Sequence, residues 1–396
     1  MNMKRKILSI TGTRSDYGLM SPVFSHIGQD DDLEFELIVT GMHLLPEFNT
    51  SLAQIREDAF GVLHTASMLL GEDSGRAMAQ SLGLAIFNIA ELLNARKPDI
   101  LLLQGDRGEM LAGAIAAAHM NIPIVHMSGG DRTGSIDDSI RNAISKFSHI
   151  HLTTCAESSK RLLAMEETLP RIIEVGEPGL DMIMQMHYIE PEELARELAL
   201  DLSQPIILAA QHPVTTESEN AAWQMRQTLE ALERLAMQVV CTYPNSDTGG
   251  REMTKILESY RGKSFLRIVP NLGSRKYLSL LRVASVIVGN SSSGIFEAPS
   301  FKLPAVNIGT RQYGRLRACN VIDIGHEQDE IIRAIEYALH DKDFRGKLAG
   351  CRNPYGDGRA AERTVHVLKR LRLTPALLSK WIETPEQFVE EFPDGL

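Results

Sequence analysis

The chain has 396 residues, of which 43% are hydrophobic and 23% charged, and its formal net charge at pH 7 is −10. This length favours two or three domains, and the negative charge argues against a general binder of nucleic acids or anionic membranes. No segment has the roughly 18 apolar residues of a membrane span. The first apolar run, 7–10, ends at once in Thr11-Gly12, which fits a buried strand better than a signal peptide, so we expect a cytoplasmic protein.

Buried strands and helices alternate along the first part of the chain. Nearly continuous apolar runs predict strands at 7–10, 35–39, 100–103, 122–125 and 150–153. Helical patterns lie between them at 76–95, 108–119 and 137–147. Strand-helix alternation of this kind implies βαβ units with a parallel sheet.

The alternation pauses at 176–179 and then restarts. The later apolar runs predict strands at 206–210, 239–242, 265–269, 286–288 and 305–308. We therefore predict an α/β protein of two Rossmann-like doubly wound domains, 1–176 and 177–359, hinged near 176–181. The C-terminal segment, about 360–396 with a helix near 360–371, is predicted to pack back on the first domain.

The four cysteines, at positions 155, 241, 319 and 351, are far apart and form no CxxC pair. Cysteines spaced in this way are predicted to be buried, free thiols rather than metal ligands. The turn after the first strand lacks the GxGxxG pattern of dinucleotide-binding proteins, so NAD is not implied. We expect neither a metal nor a cofactor.

Charged residues follow the predicted strands, at the edge where doubly wound sheets bind ligands. After the first strand, Gly12 can let the backbone approach a phosphate and Arg14 can add a charge-assisted hydrogen bond, although a plain loop with a surface arginine is the alternative. Further on, Asp106 and Arg107 stand side by side. Such a pair indicates either a functional site or an ion pair, which the two residues form with each other or which caps a helix.

Three aspartates gather after the strand at 122–125, namely Asp131, Asp137 and Asp138. Capping and the helix dipole explain one aspartate in the first turn of a helix well, but three poorly. Several carboxylates around one opening can hold different protonation states, as paired acid and base steps require.

The second half of the chain has its sharpest motif at 289–297, which reads GNSSSGIFE. A serine-rich turn bounded by glycines supplies N–H groups and hydroxyls for a pyrophosphate at a helix N-terminus, and Glu297, three residues into that helix, can accept the two ribose hydroxyls. A capping box answered by Glu297 is the alternative, and both interpretations can hold together. His212, Asn245 and Arg311 follow neighbouring strands and are weaker signals alone.

Together these segments resemble the UDP-N-acetylglucosamine 2-epimerase family over nearly the whole chain, and its hydrolysing, sialic-acid-pathway branch more than its non-hydrolysing branch. The segments that carry the resemblance are 12–17 (GTRSDY), 105–107 (GDR), 134–141 (GSIDDSIR), 211–216 (QHPVTT), 289–294 (GNSSSG) and 309–312 (GTRQ). The resemblance implies a GT-B-like architecture with the nucleotide sugar in an interdomain cleft. It also implies a homodimer or homotetramer.

The resemblance further implies roles for individual residues. The expected substrate-binding residues are Arg14, Arg107, His212, Asn245, Ser291, Ser292, Glu297 and Arg311. Asp106 and Asp137 match positions of catalytic acids. Hydrolysing relatives often carry glutamate or histidine where this chain has Ser128, a poor acid or base at neutral pH. Either Asp131 therefore joins the catalytic residues, or the substrate is another one, such as a 2,4-diacetamido sugar or a different nucleotide.

The implied reaction is anti elimination of the nucleoside diphosphate to a 2-acetamidoglucal, followed by hydration with inversion at C2. It gives a free sugar of the N-acetylmannosamine type and needs no metal. Three alternatives remain: a GT-B glycosyltransferase, a non-hydrolysing epimerase, and a catalytically silent protein that binds nucleotide sugars.

Overall fold

The computed structural model describes residues 4–45, 49–72, 74–132, 137–245, 247–380 and 388–389. The chain divides into two compact units, Met1–Met184 with Tyr355–Leu396, and Gln185–Pro354. The boundaries expected from the sequence, at residues 176 and 359, fall close to this division and stay a prediction.

The first unit is built on a sheet of seven parallel strands. They are β1 (Arg5–Thr11), β2 (Leu33–Thr40), β3 (Val62–Ala66), β4 (Ile100–Gln104), β5 (Ile124–Met127), β6 (Ile150–Thr153) and β7 (Ile172–Glu174). Their order is β3-β2-β1-β4-β5-β6-β7, and Ile7 of β1 pairs with Phe35 of β2 and with Ile100 of β4. The chain changes winding direction between β1 and β4. Ligands bind at such switch points in doubly wound sheets.

Helices cover both faces of this sheet, and the central strands are therefore buried almost throughout. They are α1 (Arg14–Gln29), α2 (Asn49–Asp58), α3 (Gly75–Arg96), α4 (Gly108–His119), α5 (Asp137–Phe147), α6 (Ala156–Ala164) and α7 (Asp181–Gln185). Short 3₁₀ turns lie at Gly41–Leu44, Leu169–Arg171 and Pro178–Leu180.

The second unit repeats the design with six parallel strands. They are β8 (Ile206–Ala210), β9 (Gln238–Thr242), β10 (Leu266–Val269), β11 (Val286–Gly289), β12 (Ala305–Ile308) and β13 (Val321–Ile324), in the order β10-β9-β8-β11-β12-β13. Its helices are α8 (Pro191–Leu198), α9 (Ala221–Leu235), α10 (Gly250–Ser259), α11 (Gly273–Val283), α12 (Gln328–His340) and α13 (Lys342–Ala349). Its 3₁₀ turns are Thr215–Asn220, Ser292–Gly294 and Ala298–Phe301.

The chain then returns to the first unit through α14 (Ala360–Arg370) and α15 (Pro375–Leu378). The Asp181 carboxylate accepts hydrogen bonds from the backbone N–H groups of Ala360 (2.9 Å) and Ala361 (2.6 Å) and so caps α14. Apolar side chains of α14, such as Leu368, join the core that also holds Phe24 of α1. The returning helix is therefore part of the first unit's core.

Several sequence expectations differ from the structure. The strand expected at 122–125 begins at Ile124, since Pro123 before it has no N–H for the ladder. The edge strands β3 and β13 were not predicted, because their half-exposed side chains lack a clear apolar pattern. Cys319 is exposed, so its predicted burial was wrong, whereas the other three cysteines are buried, and all four are free. Within the described residues, no helix is both long and apolar enough to cross a membrane.

Candidate active site

The turn after β1 places Arg14 at the carboxyl edge of the first sheet. Thr13 caps α1, and the Asp16 carboxylate accepts hydrogen bonds from the N–H groups of Thr13 (2.9 Å) and Gly12 (3.2 Å). This capping box fixes the backbone of the turn. Arg14 is the first residue of α1 and its side chain is exposed, so the guanidinium can reach a ligand at this edge.

A buried arginine joins two of the predicted catalytic aspartates. Arg141 of α5, only 5% exposed, forms an ion pair with the Asp106 carboxylate. Its Nη1 donates to the carbonyl of Ser128 (3.0 Å) and lies 3.7 Å from Oδ2 of Asp131. One guanidinium therefore sets the distance between two carboxylates. The motif at 134–141 included Arg141, but the sequence did not single it out as a site residue.

Asp131 has a different environment from Asp106. Its carboxylate accepts hydrogen bonds from the hydroxyls of Thr154 (2.7 Å) and Ser158. Burial raises the pKa of the Asp131 carboxyl group, while Arg141 and these hydroxyls oppose the shift. Two nearby carboxyl groups with unequal surroundings can supply an acid and a base.

Ser128 has a strained backbone beside this pair. Its φ is +63°, in the left-handed region that non-glycine residues seldom adopt. The side chain is 3% exposed, and its hydroxyl has no hydrogen-bond partner among the described residues. Asp137 is the first residue of α5, one turn before Arg141, so both lie on the same side of that helix. Residues 134–136 of the predicted motif at 134–141 lie outside the described residues, as does residue 133 before them.

In the second unit, Asn290 connects three predicted ligands of the nucleotide. Its side chain accepts from the N–H of His212 (2.7 Å) and donates to the His212 carbonyl (2.8 Å). Its own carbonyl accepts from Arg311 (3.2 Å) and Gln312 (2.7 Å). The Asn245 N–H in turn donates to Nδ1 of His212 (3.0 Å). Asn290 lies inside the predicted serine motif, yet the sequence did not reveal this connecting role.

The imidazole of His212 is suited to an anion even when it is neutral. Burial, and then the charge of Arg311, lower the pKa of His212 to about 4. Because Nδ1 accepts a hydrogen bond from Asn245, the ring proton resides on Nε2, which can donate to a phosphate oxygen. Next to it, Gln211 is 2% exposed, and neither end of its amide has a partner within the described residues.

The serine motif differs from its prediction in one respect. Residues 290–304, all of which the structure describes, contain only two short 3₁₀ turns, so no α-helix N-terminus lies at Ser291 and Ser292. The hydroxyl of Ser291 instead accepts from the N–H of Ser293 (3.3 Å). Burial raises the pKa of Glu297, whose Oε2 is buried without a partner in the described part of the chain. The motif therefore supplies hydroxyls, turn N–H groups and a carboxyl group, without a helix dipole.

Both sheets thus carry polar residues at their carboxyl edges. Comparison with known proteins shows which family has this arrangement of sequence. The profile of the UDP-N-acetylglucosamine 2-epimerase family matches residues 25–369. The chain belongs to this family.

Relatives of this chain differ in their named substrates. A Legionella pneumophila protein named UDP-N,N'-diacetylbacillosamine 2-epimerase (hydrolyzing) is 38% identical, over 96% of this chain and 99% of its own. A Neisseria meningitidis UDP-N-acetylglucosamine 2-epimerase is 35% identical, over 84% of this chain and 87% of its own. The solved structure of UDP-GlcNAc 2-epimerase from Neisseria meningitidis, bound to UDP-GlcNAc, has a TM-score of 0.76 at 20% identity, covering 92% of this chain and 99% of that one. The two parallel-sheet α/β units match this structure, and the GT-B-like fold class is confirmed.

The protein should lose stability in acid through His126, whose imidazole contacts the backbone of Gly105, the residue before Asp106. His126 is fully buried, its Nε2 lies 2.8 Å from the carbonyl oxygen of Gly105, and burial lowers its pKa to about 3. Below its ordinary pKa of 6.5, the unfolded chain binds a proton that the folded protein excludes. The contribution of His126 to the free energy of unfolding is therefore complete above pH 6.5 and is lost as the pH falls. At pH 5 the loss is about 2 kcal/mol.

Urea unfolding followed by circular dichroism at pH 8 and pH 5 measures this loss. His126→Gln should reduce the difference between the two pH values. The matched control His119→Gln, at an exposed position, should leave it unchanged. Equal acid sensitivity in wild type and His126→Gln would contradict this account.

Proposed function

We propose that this protein is a hydrolysing 2-epimerase that releases a free 2-acetamido sugar from its UDP conjugate, with inversion at C2. The observation that carries the proposal is the pair of carboxyl groups, Asp106 and Asp131, joined by the buried Arg141. Inversion at C2 requires removal of a proton from one face and return of a proton to the other. A pair with unequal environments suits those two steps.

The substrate that we propose first is UDP-N,N'-diacetylbacillosamine, with UDP-N-acetylglucosamine as the second candidate. The 38% identity to the Legionella pneumophila protein over nearly the full length of both chains supports the first. The 35% identity to the Neisseria meningitidis protein supports the second. Ser128 favours the first, because a serine stands where hydrolysing members that resemble this chain often have an acid.

The proposed reaction begins with cleavage of the bond between C1 and the diphosphate. The C2 proton is not adjacent to a carbonyl group, so it becomes acidic only as positive charge grows on the ring. Asp106, which forms an ion pair with Arg141, is proposed as the base, and the buried Asp131 as the acid that acts in the hydration step. Asp137, on the same helix as Arg141, is proposed to share these proton transfers.

The second unit is proposed to bind the nucleotide. The expected ligands of the diphosphate are His212, through its Nε2–H, together with Arg311, Ser291 and Ser292. Glu297 is proposed to accept the ribose hydroxyls, which would give its buried Oε2 a partner. Asn245 positions His212, and Arg14 and Arg107 of the first unit add positive charge at their own sheet edge. The proposed assembly is a homodimer or homotetramer.

Proton NMR of the purified protein in deuterated buffer tests the proposal, with each UDP-sugar supplied alone. We expect free UDP together with the C2-inverted sugar carrying deuterium at C2, and faster turnover of the diacetamido substrate. Faster turnover of UDP-N-acetylglucosamine would reverse the order of the two substrates without changing the reaction.

Three other outcomes would replace the proposal. A reversible change at C2 without free UDP indicates a non-hydrolysing epimerase. Reaction only after an acceptor is added indicates a glycosyltransferase. Tight binding of the UDP-sugar with no turnover over hours indicates a protein that binds nucleotide sugars without converting them.

A further inference from the structure

A buried glutamate that the proposed mechanism does not use lies at the switch point of the first sheet. Glu109 is the second residue of α4, which follows β4, and it is 5% exposed. β4 is paired with β1, where the chain changes winding direction. The crevice beyond the carboxyl ends of such a strand pair is the usual ligand site of doubly wound sheets.

Two glycines form a cradle around this carboxylate. Gly12 follows β1 and Gly41 follows β2, and a Cβ atom built on either would lie 2.6 Å from Oε1 of Glu109. The N–H of Met42 donates to the carbonyl of Gly12 (2.8 Å) and ties the two loops together. The cradle therefore holds Oε1 against backbone that has no room for a side chain.

The other carboxylate oxygen faces an arginine. Oε2 of Glu109 lies 3.5 Å from Nε of Arg107, whose side chain is 45% exposed. Within the described residues, this is the one ion pair of Glu109. An arginine held through Nε keeps its two terminal nitrogens available for a second partner.

We propose that Glu109 is a positioning residue, which fixes the Arg107 guanidinium over the switch-point crevice so that its terminal nitrogens bind the diphosphate of the sugar nucleotide. This inference rests on the proposed function. The glycine cradle fixes the carboxylate of Glu109, and the carboxylate attracts Nε of Arg107, which reduces the number of orientations that the guanidinium can adopt. Prior orientation of this kind reduces the entropy that binding would otherwise cost.

A simpler role for Glu109 would be compensation of the α4 dipole, since acidic residues stabilise the first turn of a helix. The two roles differ in what a shorter acid can do. Aspartate at position 109 keeps a negative charge in the first turn, but it withdraws the carboxylate from Arg107. If Glu109 only compensates the helix dipole, Glu109→Asp should keep the kcat/KM of the wild type. If Glu109 positions Arg107, Glu109→Asp should lower kcat/KM.

A double-mutant cycle tests the proposal with Glu109→Gln, Arg107→Gln and the double variant, assayed by kcat/KM and by the Kd for UDP-sugar. We expect Glu109→Gln and Glu109→Asp each to lower kcat/KM about tenfold. The double variant should be no worse than Arg107→Gln alone, because Glu109 acts through Arg107. Multiplicative losses, or wild-type activity of either Glu109 variant, would overturn the proposal.

The control variant is Glu157→Gln. Glu157 is also the second residue of a helix that follows a strand of the same sheet, but its side chain is 40% exposed and pairs with Lys160 (2.7 Å). It should keep wild-type kcat/KM. If the wild type binds UDP-sugar without turnover, the proposed reaction is refuted. The role of Glu109 is then tested by the same double-mutant cycle, with Kd in place of kcat/KM. If the wild type shows no binding at all, both proposals are refuted.

Discussion

Asp106→Asn should lower kcat by about a thousandfold, while the Kd for UDP stays within about threefold of the wild-type value. Asparagine has nearly the same shape as aspartate, but it cannot accept the C2 proton. It also cannot balance the positive charge of Arg141, whose nearest remaining carboxylate would be that of Asp131, 3.7 Å away. Single-turnover release of UDP and calorimetric binding of UDP measure the two effects separately.

The control for this variant lies at the other end of the same strand. Asp99 precedes β4, and its carboxylate accepts a hydrogen bond from the N–H of Lys6 (2.8 Å). Asp99→Asn should keep full activity, with at most a small loss of stability. Turnover by Asp106→Asn within about tenfold of wild type would remove Asp106 from the mechanism, and loss of UDP binding would show that its role is structural.

The sheets of this protein could be predicted from the sequence because their central strands are buried on both faces. An apolar run such as 100–103 is stable in an α/β fold as a central strand covered on both faces, and the structure has the buried strand β4 at this position. The helix at Gly108–His119 was predicted at its observed bounds for a similar reason, since its small apolar residues pack throughout. The edge strands β3 and β13 escaped prediction, because their half-exposed side chains give no continuous apolar run.

The positions of most candidate residues also followed from topology. In a parallel sheet every strand ends at the same edge, so polar residues after several strands must come near one another. The prediction could name Asp106 and Asp131 as neighbours on this ground. It could not show that Arg141 joins them, because that contact depends on how α5 is oriented over the sheet.

Local backbone geometry set the other limit of prediction. The motif at 289–297 was expected to open a helix, since serine and glutamate at this spacing are typical of a capping box. The structure has 3₁₀ turns there. The left-handed conformation of Ser128 could not be foreseen either, because serine has no preference for it and only the surrounding contacts impose it.

Gly289→Ala should destabilise the second unit by about 3 kcal/mol and weaken UDP binding at least about tenfold. Gly289 has a φ of +127°, and a Cβ atom there would lie 2.2 Å from the carbonyl oxygen of Ala210. That same oxygen accepts hydrogen bonds from the N–H groups of Asn290 and Ser291, both at 3.1 Å. An added methyl group must therefore push β8 and β11 apart at the point where the serine motif is attached to the sheet.

The stability loss expected for Gly289→Ala has two causes, the positive φ and the contact with Ala210, and Gly262→Ala separates them. Gly262 also has a positive φ, +92°, but a Cβ atom there would meet nothing within 4 Å. Its substitution should cost about 1 kcal/mol from backbone conformation alone, with unchanged affinity for UDP. Urea unfolding and calorimetry on both variants give the difference, which is the cost of the contact with Ala210. If the two variants were equally stable and bound UDP equally well, the contact with Ala210 would not support the serine motif. The hydrogen bonds between Asn290 and His212 would then have to hold the motif in place.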